Sequence, residues 1–290
     1  MVNRLFCFGL GFSARALAAR LRGTEWRIAG TTRGEDRAAA LRAEGIEAFV
    51  FDRVRPLEDP AAALAGTTHL LASVPPDDHG DPVLDVHGAD IGGLGSLDWI
   101  GYLSTTGVYG DRGGGWVDEG SALEPTGARG RRRVAAEEAW CALHRDHGLP
   151  VHLFRLAGIY GPGRNALATV RGGTAKRIDK PGQVFSRIHV DDIAQVLEAS
   201  MARPNPGRAY NVCDDDPAHP AEVIAHACGL LGQEPPPLVP FAEADLSPMA
   251  RSFYRDNKRV SNRRIKDELG VDLAYPDYKA GLQALLEEAG

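Results

Sequence analysis

The sequence of 290 residues carries a formal net charge of −6 and has an isoelectric point near 5.9. This acidic balance argues against a nucleic-acid-binding surface, and no apolar run approaches the roughly 20 residues that a membrane helix requires. The apolar stretch at the start is too short and too interrupted by glycine for a signal peptide, so we expect a cytoplasmic protein that binds neither nucleic acid nor membranes.

The first predicted elements are a strand, a glycine turn and a helix. An apolar run at 5–8 leads into Gly9-Leu10-Gly11-Phe12-Ser13-Ala14, and a helical pattern follows at once. In such a loop Gly9 makes the tight turn, Gly11 lets backbone amides approach a pyrophosphate, and small Ala14 lets the helix pack on the strand. The helix N-terminus favours an anion, so Phe12 and Ser13 complete the predicted dinucleotide-binding set. An ordinary glycine turn is the alternative.

The second predicted strand, 26–31, bears on which dinucleotide is bound. NAD sites place an acidic residue at this strand end for the ribose 2′-OH, whereas Thr32 and Arg33 stand here and would suit a phosphate better. We therefore predict NADP as the preferred cofactor, with NAD possible because Glu35 and Asp36 follow closely. Asp52, after the third strand, either contacts the adenine amino group or caps the next turn.

Strand and helix signals alternate along the rest of the chain. Predicted strands span 4–8, 26–31, 47–51, 69–73, 97–104, 151–156 and 209–213. Predicted helices span 13–22, 36–44, 134–146, 190–201, 221–231, 265–269 and 278–289. The strands are short and apolar on both faces, as buried parallel strands are. This pattern predicts an α/β fold with a Rossmann-type doubly wound parallel sheet.

The segment from 75 to 95 breaks this alternation. Three prolines and five glycines leave little room for a long helix, so we expect a loop with a short helix. His79 and His87 stand among aspartates there, but their irregular spacing favours a solvated loop over a metal site. Cysteines also lack metal-ligand spacing, which predicts reduced packing residues and no metal centre. The cysteines are Cys7, Cys141, Cys213 and Cys228.

Several later segments share a pattern with one family. They are Ser104-Thr105-Thr106-Gly107-Val108-Tyr109-Gly110, Arg155 to Arg164 with Tyr160-Gly161-Pro162-Gly163, Arg187-Ile188-His189-Val190-Asp191-Asp192, Tyr210-Asn211-Val212, Lys258 to Asn262 and Glu268-Leu269-Gly270. The pattern resembles that of extended short-chain dehydrogenases/reductases, the NAD(P)-dependent epimerase and dehydratase group, over nearly the whole chain. The resemblance implies the same fold and a bound nicotinamide dinucleotide. Candidate cofactor-binding residues also stand at later strand ends, at Ser73, Ser104 and Ala157.

The chain departs from this family at the catalytic pair. Members carry Tyr-x-x-x-Lys at the start of the helix after strand five, with Glu commonly four residues past the Lys. Aligning that Glu with Glu137 puts Arg133 at the Lys position and Arg129 at the Tyr position. Arginine stays charged and cannot exchange protons usefully near neutral pH, so the usual acid is replaced. Arg133 could still bind the cofactor.

Three other side chains are candidates for the missing chemistry. Thr105 matches the family's helping Ser/Thr position, where a hydroxyl would bind a substrate oxygen, or else it satisfies a strand end. Tyr109 and Tyr160 are the nearest alternative phenols, and either could be structural.

An arginine cluster marks the start of the predicted helix, where the macrodipole disfavours positive charge. It consists of Arg129, Arg131, Arg132 and Arg133. Either Glu137 and Glu138 compensate it as helix neighbours, or the guanidinium groups bind a phosphate of the cofactor or substrate. The sequence leaves both open.

Beyond Gly161 the chain leaves the predicted sheet. Residues 162–186 contain five basic residues and one acid, as expected for a lobe that binds an anionic small molecule, although a mobile surface loop would also fit. Tyr160, Arg164 and His189 are the candidate substrate-binding residues. We predict a dinucleotide-binding domain at 1–157, completed by 187–213, and a small substrate lobe formed by 158–186 and 214–290.

Two functions follow. The first is an oxidoreductase, epimerase or dehydratase acting on a phosphorylated or nucleotide-linked substrate; the second is a catalytically silent dinucleotide-binding protein that serves as a redox sensor or assembly partner. Members of the family commonly pair through two helices per subunit. Because the prolines and glycines of 75–95 predict that most of one of these helices is missing, we expect a monomer or a weak homodimer.

Overall fold

The computed structural model describes residues 2–288. The strands are β1 (Arg4–Phe8), β2 (Arg27–Thr32), β3 (Glu47–Val50), β4 (His69–Ala72), β5 (Trp99–Thr105), β6 (Trp116–Val117), β7 (Val151–Leu156), β8 (Gly158–Tyr160), β9 (Arg177–Asp179), β10 (Arg187–His189), β11 (Ala209–Val212), β12 (Leu238–Pro240) and β13 (Arg259–Val260). The helices are α1 (Phe12–Leu21), α2 (Glu35–Ala43), α3 (Pro60–Leu64), α4 (Pro82–Gly92), α5 (Ala128–His147), α6 (Ala166–Arg171), α7 (Val190–Ala202), α8 (Pro220–Leu230), α9 (Pro248–Phe253), α10 (Arg263–Leu269) and α11 (Tyr278–Glu287).

Seven strands form the main sheet, in the order β11-β7-β5-β4-β1-β2-β3. Strand β1 pairs in parallel with β2 on one side and with β4 on the other. The strand order therefore reverses beside β1. In open parallel sheets, ligands bind outside the carboxyl ends of the strands at such a reversal, and the glycine turn follows β1 at this edge.

The strands are buried because both faces of the sheet are covered. Every residue of β1, β4 and β7 is buried, as the continuous apolar runs predicted. Aromatic side chains fill much of the core: Phe8 packs edge-on against Phe51, and Tyr102 stacks on Trp140. The Rossmann-type parallel sheet predicted from the sequence is confirmed.

The chain divides into two compact units. The first comprises the chain up to Thr105, together with Arg131–Arg155 and Ile193–Tyr210. The second comprises Thr106–Gly130, Leu156–Asp192 and the chain from Asn211 onward. Residues 106–130 thus group with the second unit, whereas the sequence assigned them to the dinucleotide-binding domain. Which ligand each part binds stays a prediction.

Short parallel strand pairs and helices make up the second unit. The pairs are β8 with β10, β9 with β12, and β6 with β13. A separate apolar core includes Tyr160, Leu167, Val223, Tyr278 and Leu282, which come from β8, α6, α8 and α11. This unit therefore has an interior of its own.

The segment from 75 to 95 contains more helix than predicted. Helix α4 covers 11 residues, and its start explains why the glycines do not prevent it. Pro82 occupies the first turn, and Asp81 Oδ1 accepts hydrogen bonds from the amides of Val83 and Leu84 at 2.9 and 3.2 Å. This Asp-Pro cap stabilises the helix, so the main premise of the weak-dimer prediction fails. The oligomeric state itself stays a prediction.

The placement of His87 corrects a second expectation. Instead of standing in a solvated loop, its ring is buried in α4 and stacks on Phe8. Its Nε2 accepts the Leu57 amide at 3.1 Å, so Nδ1 carries the proton and donates to Asp90 at 2.8 Å. His87 is a core residue, whereas His79 is exposed as expected.

Other boundaries differ by a residue or two, with one larger exception. Helix α5 begins at Ala128, six residues before the predicted start at Val134, so the arginine cluster lies inside it. The predicted end of the last helix, Ala289, lies outside the described residues. None of the helices within residues 2–288 is long and apolar enough to cross a membrane.

Candidate functional site

The glycine loop after β1 is held by side chains of two neighbouring strands. The Gly9 amide donates to Thr31 Oγ1 at 2.9 Å, and Ser73 Oγ donates to the Gly9 carbonyl at 2.5 Å. Gly9 has φ +90°, and a Cβ there would lie 2.7 Å from Ser73 Oγ, so only glycine fits. At Gly11, by contrast, a Cβ would meet no atom within 4 Å among the described residues. The loop is therefore fixed on one side and open on the other.

Helix α1 begins at this open side. Gly11 is its N-cap and supplies no side-chain cap, while Ser13 and Ala14 are buried in the first turn. The positive end of the helix dipole and the first-turn amides favour an anion. Ala14 is fully buried, and its role in letting α1 lie close to the sheet stays a prediction. The geometry therefore suits a pyrophosphate.

Two arginines stand beyond the end of β2. Arg33 is exposed, and Arg55 Nη2 donates to the Arg33 carbonyl at 2.6 Å. The nearby acid Glu35 is paired with Arg42 at 2.5 Å. Sequence reasoning missed Arg55, because its approach to Arg33 depends on the turn after β3. Arg55 is itself paired with Asp52, so this strand end gains an arginine without gaining net charge.

Asp52 forms that turn. Its Oδ1 accepts the amides of Val54 and Arg55, each at 3.0 Å, and its Oδ2 accepts Arg55 Nε at 2.8 Å. The hydrogen bond from Arg55 lowers the pKa of Asp52. Of the two roles left open by the sequence, the structure shows turn capping.

A buried ion pair is hydrogen-bonded to Ser104, near the end of β5. Arg155 Nη2 donates to Glu137 Oε2 at 2.8 Å, and Arg155 Nε lies 3.1 Å from Oε1. The Ser104 hydroxyl donates to the same Oε1 at 2.5 Å. The Ser104 hydroxyl is therefore committed to a structural network, although the residue was a candidate for cofactor binding.

Arg133 and Arg132 are compensated by tertiary contacts. Arg133 Nη1 donates to the Leu103 carbonyl and to the Tyr102 hydroxyl, and its guanidinium carbon lies 5.6 Å from the centre of the Tyr102 ring. Arg132 pairs with Asp78. Arg129, in contrast, is exposed. Arg133 thus keeps a fixed cation at the end of β5, where the family's lysine is expected.

Neither alternative phenol is exposed. Tyr109 is fully buried, and its hydroxyl donates to Asn211 Oδ1 at 2.7 Å. Tyr160 is buried against α11, where a Cβ at Gly281 would lie 2.1 Å from its hydroxyl oxygen, and burial raises its pKa. These contacts favour structural roles for both. Thr105 is half-buried as the last residue of β5.

The remaining predicted residues lie in the second unit. His189 is buried beside Tyr160, with ring centres 5.1 Å apart. Arg164 closes an exposed turn with Gly161 through paired backbone hydrogen bonds of 3.0 Å. The Ala157 amide donates to the Val212 carbonyl at 3.0 Å. Tyr160 and His189 are therefore brought together, and each predicted role stays a prediction.

Metal ligands do not gather in the chain described here: residues 2–288 contain no group of three or more His, Cys, Asp or Glu placed to hold a metal ion.

Comparison with known proteins agrees with this geometry. Residues 98–213 match the NAD dependent epimerase/dehydratase family. This segment, which runs from just before β5 to just after β11, is therefore similar to that family.

Individual relatives extend over almost the full length. The structure of a functionally unknown conserved protein from Silicibacter pomeroyi DSS is 54% identical, with a TM-score of 0.90 and 99% of each chain covered. Protein YeeZ of Escherichia coli K12 is 29% identical over 95% of this chain and 97% of its own. The NAD complex of dTDP-glucose 4,6-dehydratase from Bacillus anthracis, 16% identical with a TM-score of 0.78, covers 99% of this chain and 96% of its own and shares the fold.

Proposed function

We propose that the protein binds NADP(H) at the loop after β1, and that it acts on or binds a small anionic molecule. The observation that carries this proposal is the glycine loop itself. Thr31 and Ser73 fix its inner side, and the space at Gly11 is open. The dTDP-glucose 4,6-dehydratase structure of the same fold was crystallised with NAD, which supports a nicotinamide dinucleotide here.

The preference for NADP rests on charge. Arg33 and Arg55 are both exposed beyond β2, and they would bind a ribose 2′-phosphate through charge-assisted hydrogen bonds. Arg133 would bind a second part of the cofactor, because its guanidinium is held at the end of β5 by Leu103 and Tyr102. When bound, a nicotinamide would supply hydride transfer.

A catalytically silent dinucleotide-binding protein is the second candidate function. It is favoured by the burial of Tyr109 and Tyr160 and by arginine at 129 and 133, since these residues leave no obvious phenol to exchange a proton. Turnover assays on simple carbonyl compounds and nucleotide sugars separate the two functions. The wild type is compared with Tyr109→Phe, Tyr160→Phe and the double variant Arg129→Tyr with Arg133→Lys.

Cofactor binding is tested by replacing Gly11 with Val. The side chain would fill the open space, so the fold should survive while NADPH binding, followed by fluorescence titration, is lost. Gly95→Val is the matched control, because a Cβ at Gly95 also meets nothing within 4 Å but lies outside the loop. Unchanged affinity of Gly11→Val for both NADPH and NADH would remove the basis of the proposal.

A further inference from the structure

Asp214 and His189 are two of the five residues of the second unit whose buried side-chain atoms lack hydrogen-bond partners among the described residues. Both carboxyl oxygens of Asp214 are unpartnered, and the residue is 1% exposed. Nε2 of His189 is also unpartnered, and this residue is likewise 1% exposed. A buried polar group without a partner costs about 1–3 kcal/mol, so native proteins keep few of them unless a water or ligand completes the bonding.

Arg187 lies beside Asp214 without pairing with it. The Asp214 amide donates to the Arg187 carbonyl at 2.7 Å, which places the two residues next to each other. The Arg187 charge acts on the Asp214 carboxyl, yet no hydrogen bond joins the side chains. Instead, Arg187 Nη1 donates to the carbonyls of Phe185 and Ala218 at 2.8 and 3.2 Å. The two residues are therefore neighbours, and both Asp214 carboxyl oxygens keep their hydrogen-bonding capacity unused.

The β8–β10 pair aligns these groups on one face. Side chains two residues apart in a strand point the same way, so Arg187 and His189 share a face of β10. In register, His189 stands opposite Tyr160, and Arg187 stands opposite Gly158. Gly158 has no side chain, and a Cβ there would lie 3.8 Å from Arg187 Cγ, so the aliphatic part of Arg187 lies against this glycine. We call Arg187, His189 and Asp214 the β10 cluster.

The protonation states make the β10 cluster a set of donors. Burial raises the pKa of Asp214, Arg187 opposes this rise and Asp216 adds to it, and the resulting pKa is about 8. Asp214 is therefore largely a neutral acid at pH 6.5. His189 Nδ1 accepts the Asp191 amide at 3.3 Å, which leaves the proton on Nε2, and burial lowers its pKa. The cluster offers a guanidinium, an imidazole N–H and a carboxyl O–H.

Arg187 is the positive charge of the β10 cluster, and acids stand close to it. The phenols Tyr160 and Tyr278 interact with Arg187 and are neutral, because burial raises the pKa of each. Asp216 and Asp191 add negative charge close to Arg187 and His189. A doubly charged phosphate would be repelled by these acids more strongly than a singly charged group would.

We propose that the β10 cluster binds the carboxylate group of a small molecule, which bridges Arg187 and Asp214. The carboxylate would accept the donors that the described residues leave unused and would neutralise the guanidinium. This site is argued from the second unit alone and does not depend on cofactor binding at the glycine loop. It adds Arg187 and Asp214 to the candidate functional residues.

Acetate is the probe, and thermal unfolding of the full chain is the measurement. At pH 6.5 and constant ionic strength, sodium acetate should raise the Tm saturably relative to sodium chloride, by about 3 °C at ten times the Kd. Arg187→Gln should abolish this rise. Arg171→Gln, which removes an exposed arginine of the same unit, should leave it unchanged.

The pH dependence tests Asp214 directly. At pH 9.5 the ionised carboxyl should repel acetate and the rise should vanish in wild type, whereas Asp214→Asn, which keeps a donor, should retain it. This comparison remains decisive even if Arg187→Gln does not fold. The absence of an acetate-specific rise at pH 6.5 would mean that no carboxylate binds between Arg187 and Asp214, and it would overturn the proposal. An equal response of wild type and Asp214→Asn at both pH values, or a larger response to phosphate than to acetate, would also overturn the proposal.

Discussion

Each of the two units places an arginine next to a buried acid, and the two pairs differ in whether the side chains hydrogen-bond to each other. In the first unit Arg155 forms a two-point contact with Glu137, and Ser104 occupies one carboxyl oxygen as well. In the second unit Arg187 and Asp214 are neighbours without a hydrogen bond between their side chains.

The two pairs therefore differ in their remaining capacity to form hydrogen bonds with a ligand. A buried ion pair whose hydrogen bonds are all made has no capacity left for a ligand, and removing one partner leaves an uncompensated charge. A buried pair with unused donors and acceptors retains that capacity at a cost in stability. Each prediction below changes one side of this comparison.

The largest effect is expected at the Arg155–Glu137 pair. Glu137→Gln should destabilise the protein by about 3–5 kcal/mol, because it leaves the buried Arg155 guanidinium without its counter-charge. Urea unfolding at pH 7 measures this loss. A change below about 1 kcal/mol would show that the pair is hydrated rather than buried, and the contrast with Arg187 and Asp214 would disappear.

At the Arg187–Asp214 pair the expected effect on stability depends on pH. The folded-state pKa of Asp214, about 8, exceeds its ordinary value of 3.8, so the folded state favours the neutral acid. Stability should therefore be highest below pH 4 and decline as pH rises from 4 to 8, by at most about 1.4 kcal/mol per pH unit. Asp214→Asn should lack this decline, so its stability relative to wild type should increase as pH rises from 4 to 8. Parallel stability curves for the two proteins, from urea unfolding between pH 4 and 9, would contradict this.

Arg33 extends the comparison to an exposed cation whose proposed partner is the ligand. An arginine–phosphate contact contributes about 1.5–3 kcal/mol, so Arg33→Ala should weaken NADPH binding about tenfold or more. Affinity for NADH should be nearly unchanged. Fluorescence titration with both cofactors measures the ratio, and equal losses for the two would refute the assignment of Arg33 to the 2′-phosphate.

The smallest effect is expected at an exposed pair. Arg145 and Glu138 are joined at 2.7 Å, with 52% and 69% of their side chains exposed. Solvent screens such a pair, so Glu138→Gln should change stability by less than about 1 kcal/mol. Measured by the same urea unfolding, it is the matched control for Glu137→Gln, one residue away on α5.

The fold was predictable because its signals are local. Strands β1 and β7 have the predicted bounds, since each is a short apolar run next to glycine or proline. The predicted start of α5 was wrong. Arginines in a first turn argue against a helix when only local charges are considered. In the structure, Asp78 and the Leu103 carbonyl compensate Arg132 and Arg133. Leu103 is 30 residues from Arg133 in sequence, and Asp78 is 54 residues from Arg132.

The candidate site was predictable in part, for the same reason. The glycine loop is a contiguous motif, and the structure places it at the strand-order reversal. Arg55, Arg187 and Asp214 carry no sequence motif of their own. Their roles depend on which neighbours satisfy a side chain and which do not, and only packing decides that.

The hydrogen bonds from Thr31 and Ser73 also have a consequence for kinetics. Since these side chains hold the glycine loop before any ligand arrives, the loop has little conformational entropy to lose on binding. Association with a dinucleotide should then be limited by diffusion and orientation rather than by a slow rearrangement of the chain. Stopped-flow mixing should show a single phase whose rate increases linearly with ligand concentration, and Thr31→Val should add a slower, saturating phase.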